Sequence, residues 1–442
     1  MPWVDDSPRA SAPRERPKGV PVIASGAPRL LTIMGSGETS PTMTKVHRSL
    51  LQRVAPGGGS AVLLDTPYGF QENAADISAK AVDYFAKSVG HPIEVAGYLS
   101  ADTEDLVARE KALARIRGGA YLFAGPGSPS YTVAQWKGGP VPGLLADKLA
   151  GRGCVTFASA AACTMGAFTL PVYEIYKVGM AVHWLDGLNL LAAAGLSAVV
   201  VPHYNNAEGG NHDTRFCYMG ERRLAEMEKM LPPDVFVLGV DEHTGLILDL
   251  EAASATVVGL GVVTVRKGGV SATVATGTTL SIDALASMVG GASPPVRFEA
   301  APPSVDSGRS ETNQTPLLAG VAACEGNFNS ALAKGASQDA VRSVLELEAL
   351  LVEWSRDTTQ SDHLDRGRAA LRSILIRLGE AAEAGLADPR ERIAPFVEAL
   401  LECRRLARSE RRFAESDSIR DRLVGAGIEV QDTADGTNWD LC

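Results

Sequence analysis

Short apolar runs separated by helix-compatible stretches fill residues 29 to 290, and this alternation restricts the fold more than any other feature. Arg29 to Met34 contains an apolar run that leads into Gly35-Ser36-Gly37-Glu38. Ser60 to Leu64 ends at Asp65, Ile93 to Tyr98 precedes a helical stretch over Thr103 to Ile116, and Ala120 to Ala124 runs into Gly125-Pro126-Gly127-Ser128. Glu72 to Val89 and residues 141–150 add further helix-compatible spacing. Strands that alternate with helices predict a mainly parallel sheet covered on both faces. Such sheets carry their chemistry at the carboxyl ends of the strands. That placement singles out Gly35, Asp65, Gly125 and Ser159.

A chain of 442 residues has room for two or more domains. Residues 1–28, rich in Pro, Arg and Ser, read as a disordered tail. The α/β pattern closes near residue 290, and the Gly-, Pro- and Ser-rich stretch 291–320 reads as a linker. A second domain is expected over 321–442; from about 321 to 423 the period changes to 3.6, with helices expected over Ala340 to Trp354, Leu364 to Ala384, Ile393 to Arg408 and Ser416 to Val424. A net charge of -10 disfavours non-specific binding to nucleic acid, although it leaves room for a local basic stripe. Six cysteines without a C-x-x-C pair argue against a zinc site or a disulfide framework and fit a reducing cytoplasm. No signal-peptide core or membrane span is visible, the run from Leu188 to Val201 being too short. Neither a G-x-G-x-x-G fingerprint nor a G-K-[ST] phosphate loop is present, so no cofactor and no metal are expected.

Three stretches carry candidate chemistry. In Cys154 to Tyr176 an apolar run ends at Ser159, and Ala160, Ala161 and Ala162 begin a helix-forming run. A serine at a sharp strand-to-helix turn presents its hydroxyl as a nucleophile; small residues there also serve simple close packing. The turn Gly125 to Ser128 suits either an oxyanion hole or an ordinary proline turn. The loop after Ala198 to Val201 reads Pro202-His203-Tyr204-Asn205-Asn206 and continues to His212 and Arg215. Two histidines, an arginine and two asparagines at a strand end suit a base and a carboxylate-binding group. Farther on, Val235 to Val240 is a strand followed by Asp241-Glu242-His243, and a hairpin is expected around Lys267-Gly268-Gly269, with strands Thr256 to Val265 and Ser271 to Ala275. In the helical part Arg404, Arg405, Arg408, Arg411 and Arg412 form a basic cluster, suited to RNA backbone, a protein partner or plain solvent.

These residues resemble the peptidase E and cyanophycinase family of serine hydrolases, with its class I glutamine-amidotransferase-like fold, over roughly the first 290 positions. Phe157-Ala158-Ser159-Ala160-Ala161-Ala162 corresponds to the family's G-x-S-A-G-A elbow, with both glycines replaced. Pro202-His203-Tyr204 and Asn211-His212-Asp213-Thr214-Arg215 follow the family's P-H-[FY] and G-H-x-G-E-T-R segments. The resemblance implies a three-layer, mainly parallel sandwich. It implies Ser159 as nucleophile, His203 as base and, fifteen positions after the serine, Glu174 as the acid that orients the imidazole. Amides near Gly127 and Ala160 would hold the oxyanion; Gly125, Ser128 and Asn205 would contact a peptide or amide substrate, and His212 or Arg215 would bind the acidic side chain or carboxylate of an aspartyl-type peptide.

The second half resembles the C-terminal helical domain of cysteinyl-tRNA synthetase. Gly326-Asn327-Phe328-Asn329-Ser330 resembles the segment that opens that domain, and Arg412-Phe413-Ala414-Glu415-Ser416-Asp417 through Gly436-Thr437-Asn438-Trp439 follows its end. The catalytic H-I-G-H and K-M-S-K-S motifs of the synthetase are absent, so charging of tRNA is not expected. The resemblance implies a tRNA- or protein-binding domain, with Arg404, Arg405, Arg408 and Arg412 as RNA contacts. Two functions follow: a serine hydrolase fused to a binding domain, or a binding and regulatory protein whose hydrolase core has decayed. The sequence specifies no oligomeric state.

Overall fold

The computed structural model describes residues 28–208, 212–289, 315–358, 362–384, 389–433 and 436–441. The expected tail up to residue 27 and most of the expected linker, 291–314, lie outside the described residues. The chain divides into two compact units, the second formed by residues 312–355 and 361–442.

The first unit is built on strands β1 (Arg29–Met34), β2 (Ala61–Leu63), β3 (Ile93–Val95), β4 (Tyr121–Ala124) and β5 (Gly153–Ala158). They lie parallel in the order β1-β5-β4-β2-β3. β5 is buried along its whole length, as a strand covered on both faces must be. The register pairs Met34 with Ala158, so the loop after β1 opens beside Ser159. A short ribbon, β6 (Phe168–Thr169) and β7 (Leu185–Asp186), follows, and then β8 (Ala198–Val201) and β9 (Phe236–Val240), which pair in parallel.

The parallel reading does not cover the rest of this unit. Strands β10 (Thr244–Asp249), β11 (Ser254–Gly259) and β14 (Thr279–Ser281) extend the first sheet beyond β1 in antiparallel fashion. β12 (Val262–Lys267) and β13 (Val270–Ala275) form the expected hairpin and continue the second sheet from β9. Gly268 and Gly269 make the turn at φ 56° and 80°, a geometry that penalises any Cβ. The single strand expected over Thr256 to Val265 is broken in two. Gly259 turns the chain at φ 101°, and a Cβ there would sit 2.2 Å from the His243 carbonyl oxygen.

The second unit is helical. Pro316–Ala333, Ser337–Trp354 and His363–Ala384 pack around Phe328, Leu347 and Ile374, all fully buried. Pro389–Ser409 and Phe413–Gly425 share a smaller core with the hairpin strands Ile428–Thr433 and Gly436–Leu441, centred on Val397, Leu423 and Trp439. Helix Pro316–Ala333 begins inside the stretch expected to be linker. Among the described residues no helix is long and apolar enough to cross a membrane. Because Leu347 is fully buried among apolar neighbours, Leu347→Ala is expected to destabilise this unit by about 2–5 kcal/mol. Urea denaturation followed by far-ultraviolet circular dichroism checks the shift.

Candidate active site

Ser159 sits where β5 ends and the short helix Ser159–Cys163 begins, and its backbone is left-handed, at φ 48°. Such a conformation costs about 1–3 kcal/mol outside glycine and is retained where the surroundings fix it. Here the Ala161 amide donates to the Gly125 carbonyl at 3.2 Å, tying the helix start to the turn after β4. The two replaced elbow glycines are accommodated: Phe157 is buried against Trp136, with ring centroids 5.5 Å apart, and Ala161 fits its site with no exposed surface. The serine therefore keeps a strained elbow without them.

His203 follows β8 and is also left-handed, at φ 47°. Its amide donates to Gly35 O at 3.3 Å, and the amides of Asn206 and Cys217 donate to its carbonyl at 3.1 and 3.2 Å. Ser159 Oγ lies 2.9 Å from His203 Nε2. On the far side of the ring, Nδ1–H donates to Glu242 Oε1 at 2.8 Å. Asn206 Nδ2 donates to the same oxygen at 3.3 Å, and the Glu242 amide donates to Asn205 Oδ1 at 2.8 Å.

The acid that meets the histidine is thus Glu242, not Glu174. Glu174 lies on the helix Val172–Tyr176, and its Oε2 is buried without a hydrogen-bond partner. The fifteen-residue spacing from the serine leads into this side helix, whereas Glu242 leaves β9, the strand paired with β8. The signal that could have found it was present: Asp241-Glu242-His243 stands at the carboxyl end of a strand beside the histidine strand. Burial disfavours the charged imidazole, but the hydrogen bond and charge of Glu242 outweigh it and raise the His203 pKa to about 9. Burial likewise works against the Glu242 carboxylate, and the bond to His203 overcomes it, holding the acid below its ordinary range.

The turn Gly125–Ser128 lies beside this group. Gly127, at φ 142°, passes so near Pro67 that a Cβ would stand 2.0 Å from its carbonyl oxygen. Gly125 leaves space that the buried Glu38 occupies: a Cβ on Gly125 would sit 2.8 Å from Glu38 Oε1. Burial raises the Glu38 pKa to about 7. Ala160, buried, supplies the amide immediately after Ser159, in the first turn of a helix, where amides have no intrahelical acceptor.

The expected substrate contacts fare differently. Ser128 caps the helix Pro129–Trp136, its Oγ accepting from the Tyr131 amide at 3.2 Å. Asn205 supports Glu242 through its carbonyl oxygen rather than facing a ligand with it. His212 is exposed, its ring centroid 6.4 Å from that of Tyr176. The Arg215 guanidinium is held in a bidentate pair with Asp213, both contacts 2.9 Å. In the helical unit the basic cluster is tied to carboxylates. Arg404 is buried and bidentate to Asp432 at 2.7 Å, so it does not face a phosphate as expected. Arg408 shares Asp432, Arg405 pairs with Glu402, and Arg412 pairs with Glu410 and Glu415. Among the described residues no group of three or more His, Cys, Asp and Glu side chains is arranged to hold a metal ion.

No protein-family model matches the chain. Its C-terminal region is similar to cysteine–tRNA ligases. The chain is 40% identical over 94 residues to the ligase of Desulfovibrio desulfuricans, covering 17% of this chain and 20% of the relative. It is 34% identical over 155 residues to that of Nitratidesulfovibrio vulgaris, covering 30% of this chain and 32% of the relative. The chain therefore spans about a third or less of the length of the curated relatives it matches. Solved structures similar to it include a peptidase from an acI-B1 Actinobacterium, with a TM-score of 0.47 and 19% identity, covering 58% of this chain and 98% of that one.

Replacing Glu242 with glutamine removes the charge that sustains the imidazolium. Glu242→Gln is expected to lower the His203 pKa below its raised value of about 9. Proton-detected NMR titration of the ring reads the change, and an unmoved titration would contradict the assignment of Glu242 as the dominant partner.

Proposed function

We propose that the α/β unit is a serine hydrolase that cleaves a peptide or amide bond through an acyl-enzyme. One observation carries the reading: a continuous chain from Ser159 Oγ through His203 to Glu242, with contacts of 2.9 and 2.8 Å. In this mechanism neutral His203 takes the Ser159 proton at Nε2 as the oxygen attacks the carbonyl carbon. The imidazolium that forms is stabilised by Glu242, which also fixes the tautomer. The amides of Ala160 and Gly127 are the donors assigned to the oxyanion. The tetrahedral intermediate collapses, His203 passes its proton to the leaving amine, and water then enters by the reverse sequence to release the acid. No cofactor or metal is needed for these steps.

A base whose pKa lies near 9 is mostly protonated at neutral pH. Activity is therefore expected to rise with pH and level off above about 9, since kcat/KM reports the base of the free enzyme. A fluorophosphonate probe is expected to label Ser159 with the same pH dependence and to lose its target in Ser159→Ala. Should the wild-type protein resist labelling across that range, the binding and regulatory reading takes its place. A cytoplasmic location is part of the same reading and rests on the sequence alone, whose six cysteines include no C-x-x-C pair.

A second function, binding of tRNA by the helical unit, is favoured by the partial similarity to cysteine–tRNA ligases. The arginines on which it would rest are largely ion-paired, so modest affinity is expected. Retention of the full chain's binding in Arg405→Glu/Arg408→Glu, measured by fluorescence anisotropy with a labelled tRNA, would exclude these two side chains as the contact.

A further inference from the structure

An apolar rim lies at the carboxyl ends of β2, β3 and β4, and the proposed hydrolysis has no use for it. Phe70 is 51% exposed, and its ring centroid is 5.2 Å from that of Tyr131. Leu99 is 41% exposed, and Tyr131 OH donates to its carbonyl at 3.0 Å. Aromatic rings held side by side at a site mouth offer apolar contact area to a bound group.

The rim is continuous with the turn beside the nucleophile. The Ser128 amide donates to Pro67 O at 2.9 Å, three residues before Phe70. The Tyr131 amide donates to Ser128 Oγ, which places that ring on the first turn of the helix that leaves the same loop. Gly69 is pressed against the neighbouring strand end, where a Cβ would lie 2.2 Å from Leu99 O. The contacts that fix the turn assigned to the oxyanion therefore also fix the two rings. By contrast, an acidic substrate group would have to compete with Asp213 for Arg215, both of whose forked contacts are already made.

We propose that Phe70, Tyr131 and Leu99 form a substrate subsite for a large apolar or aromatic side chain, so that the peptide acted on carries such a residue rather than an acidic one. This rests on the hydrolase reading for its chemistry, but the subsite is measurable without turnover. The experiment uses full-length Ser159→Ala and two acetylated tripeptide amides that differ only in a central phenylalanine or aspartate, titrated calorimetrically. The phenylalanine peptide is expected to bind about tenfold tighter or better, the scale on which an apolar pocket discriminates. Phe70→Ala is expected to erase most of that ratio and Phe70→Tyr to keep it. Equal binding, tighter binding of the aspartate peptide, or a ratio indifferent to Phe70→Ala overturns the subsite. Fluorophosphonate labelling of the wild type separates the two claims. Labelling without aromatic preference removes the subsite and leaves the hydrolase, and aromatic preference without labelling does the reverse.

Discussion

Two residues, Ser159 and His203, hold a backbone conformation that side chains other than glycine rarely adopt, and the remainder of the α/β unit is arranged to keep them there. Their φ values, 48° and 47°, each represent stored strain. The compensation is visible in the hydrogen bonds around them. Gly125 receives the amide of Ala161; Gly35 receives that of His203; Cys217 and Asn206 both donate to the His203 carbonyl. The segment that supplies the Cys217 amide is itself unusual, with Phe216, Cys217 and Tyr218 all left-handed in succession. The loop that caps the His203 carbonyl thus holds left-handed residues of its own.

Electrostatics gives this geometry its polarity. A buried imidazole would ordinarily lose its charge, yet Glu242 reverses that tendency, and Asn206 holds the carboxylate in place. The arrangement favours the imidazolium, the species that accumulates as a serine oxygen attacks a carbonyl. The same raised pKa leaves the His203 ring largely protonated at neutrality. In the helical unit the same physics works differently: the buried Arg404 reaches outward to the exposed Asp432, and the arginine becomes part of the packing.

Much of this was legible from the residues alone. The alternating period revealed the parallel strands, and strand ends located Ser159, His203 and the glycine turn, because period and punctuation are local properties. Glu242 was visible only as one of several polar residues at strand ends. Choosing it over Glu174 required knowing that β9 pairs with β8, a long-range fact that no spacing encodes. The antiparallel pairing of β10 with β1 was hidden for the same reason, since an apolar run does not declare the direction of its neighbour. For the basic cluster, the near carboxylates Glu402, Glu410 and Glu415 could be read beside the arginines, whereas Asp432, which pairs with Arg404 and Arg408, comes from a distant strand that spacing does not bring to them. The left-handed elbow is also instructive: neither Phe157 nor Ala161 beside it is a glycine, and the conformation at Ser159 is held by tertiary contacts.

The three groups of the relay come from different sheets. Ser159 extends β5 of the eight-stranded sheet, whereas His203 and Glu242 extend β8 and β9 of the four-stranded one. The Ser159–His203 contact therefore spans the two sheets. Any slippage of one layer on the other would separate hydroxyl from imidazole while leaving imidazole and carboxylate together. Loosening by heat or denaturant should accordingly break the Ser159–His203 contact before either sheet comes apart, so that this contact becomes an early gauge of cohesion between the two sheets.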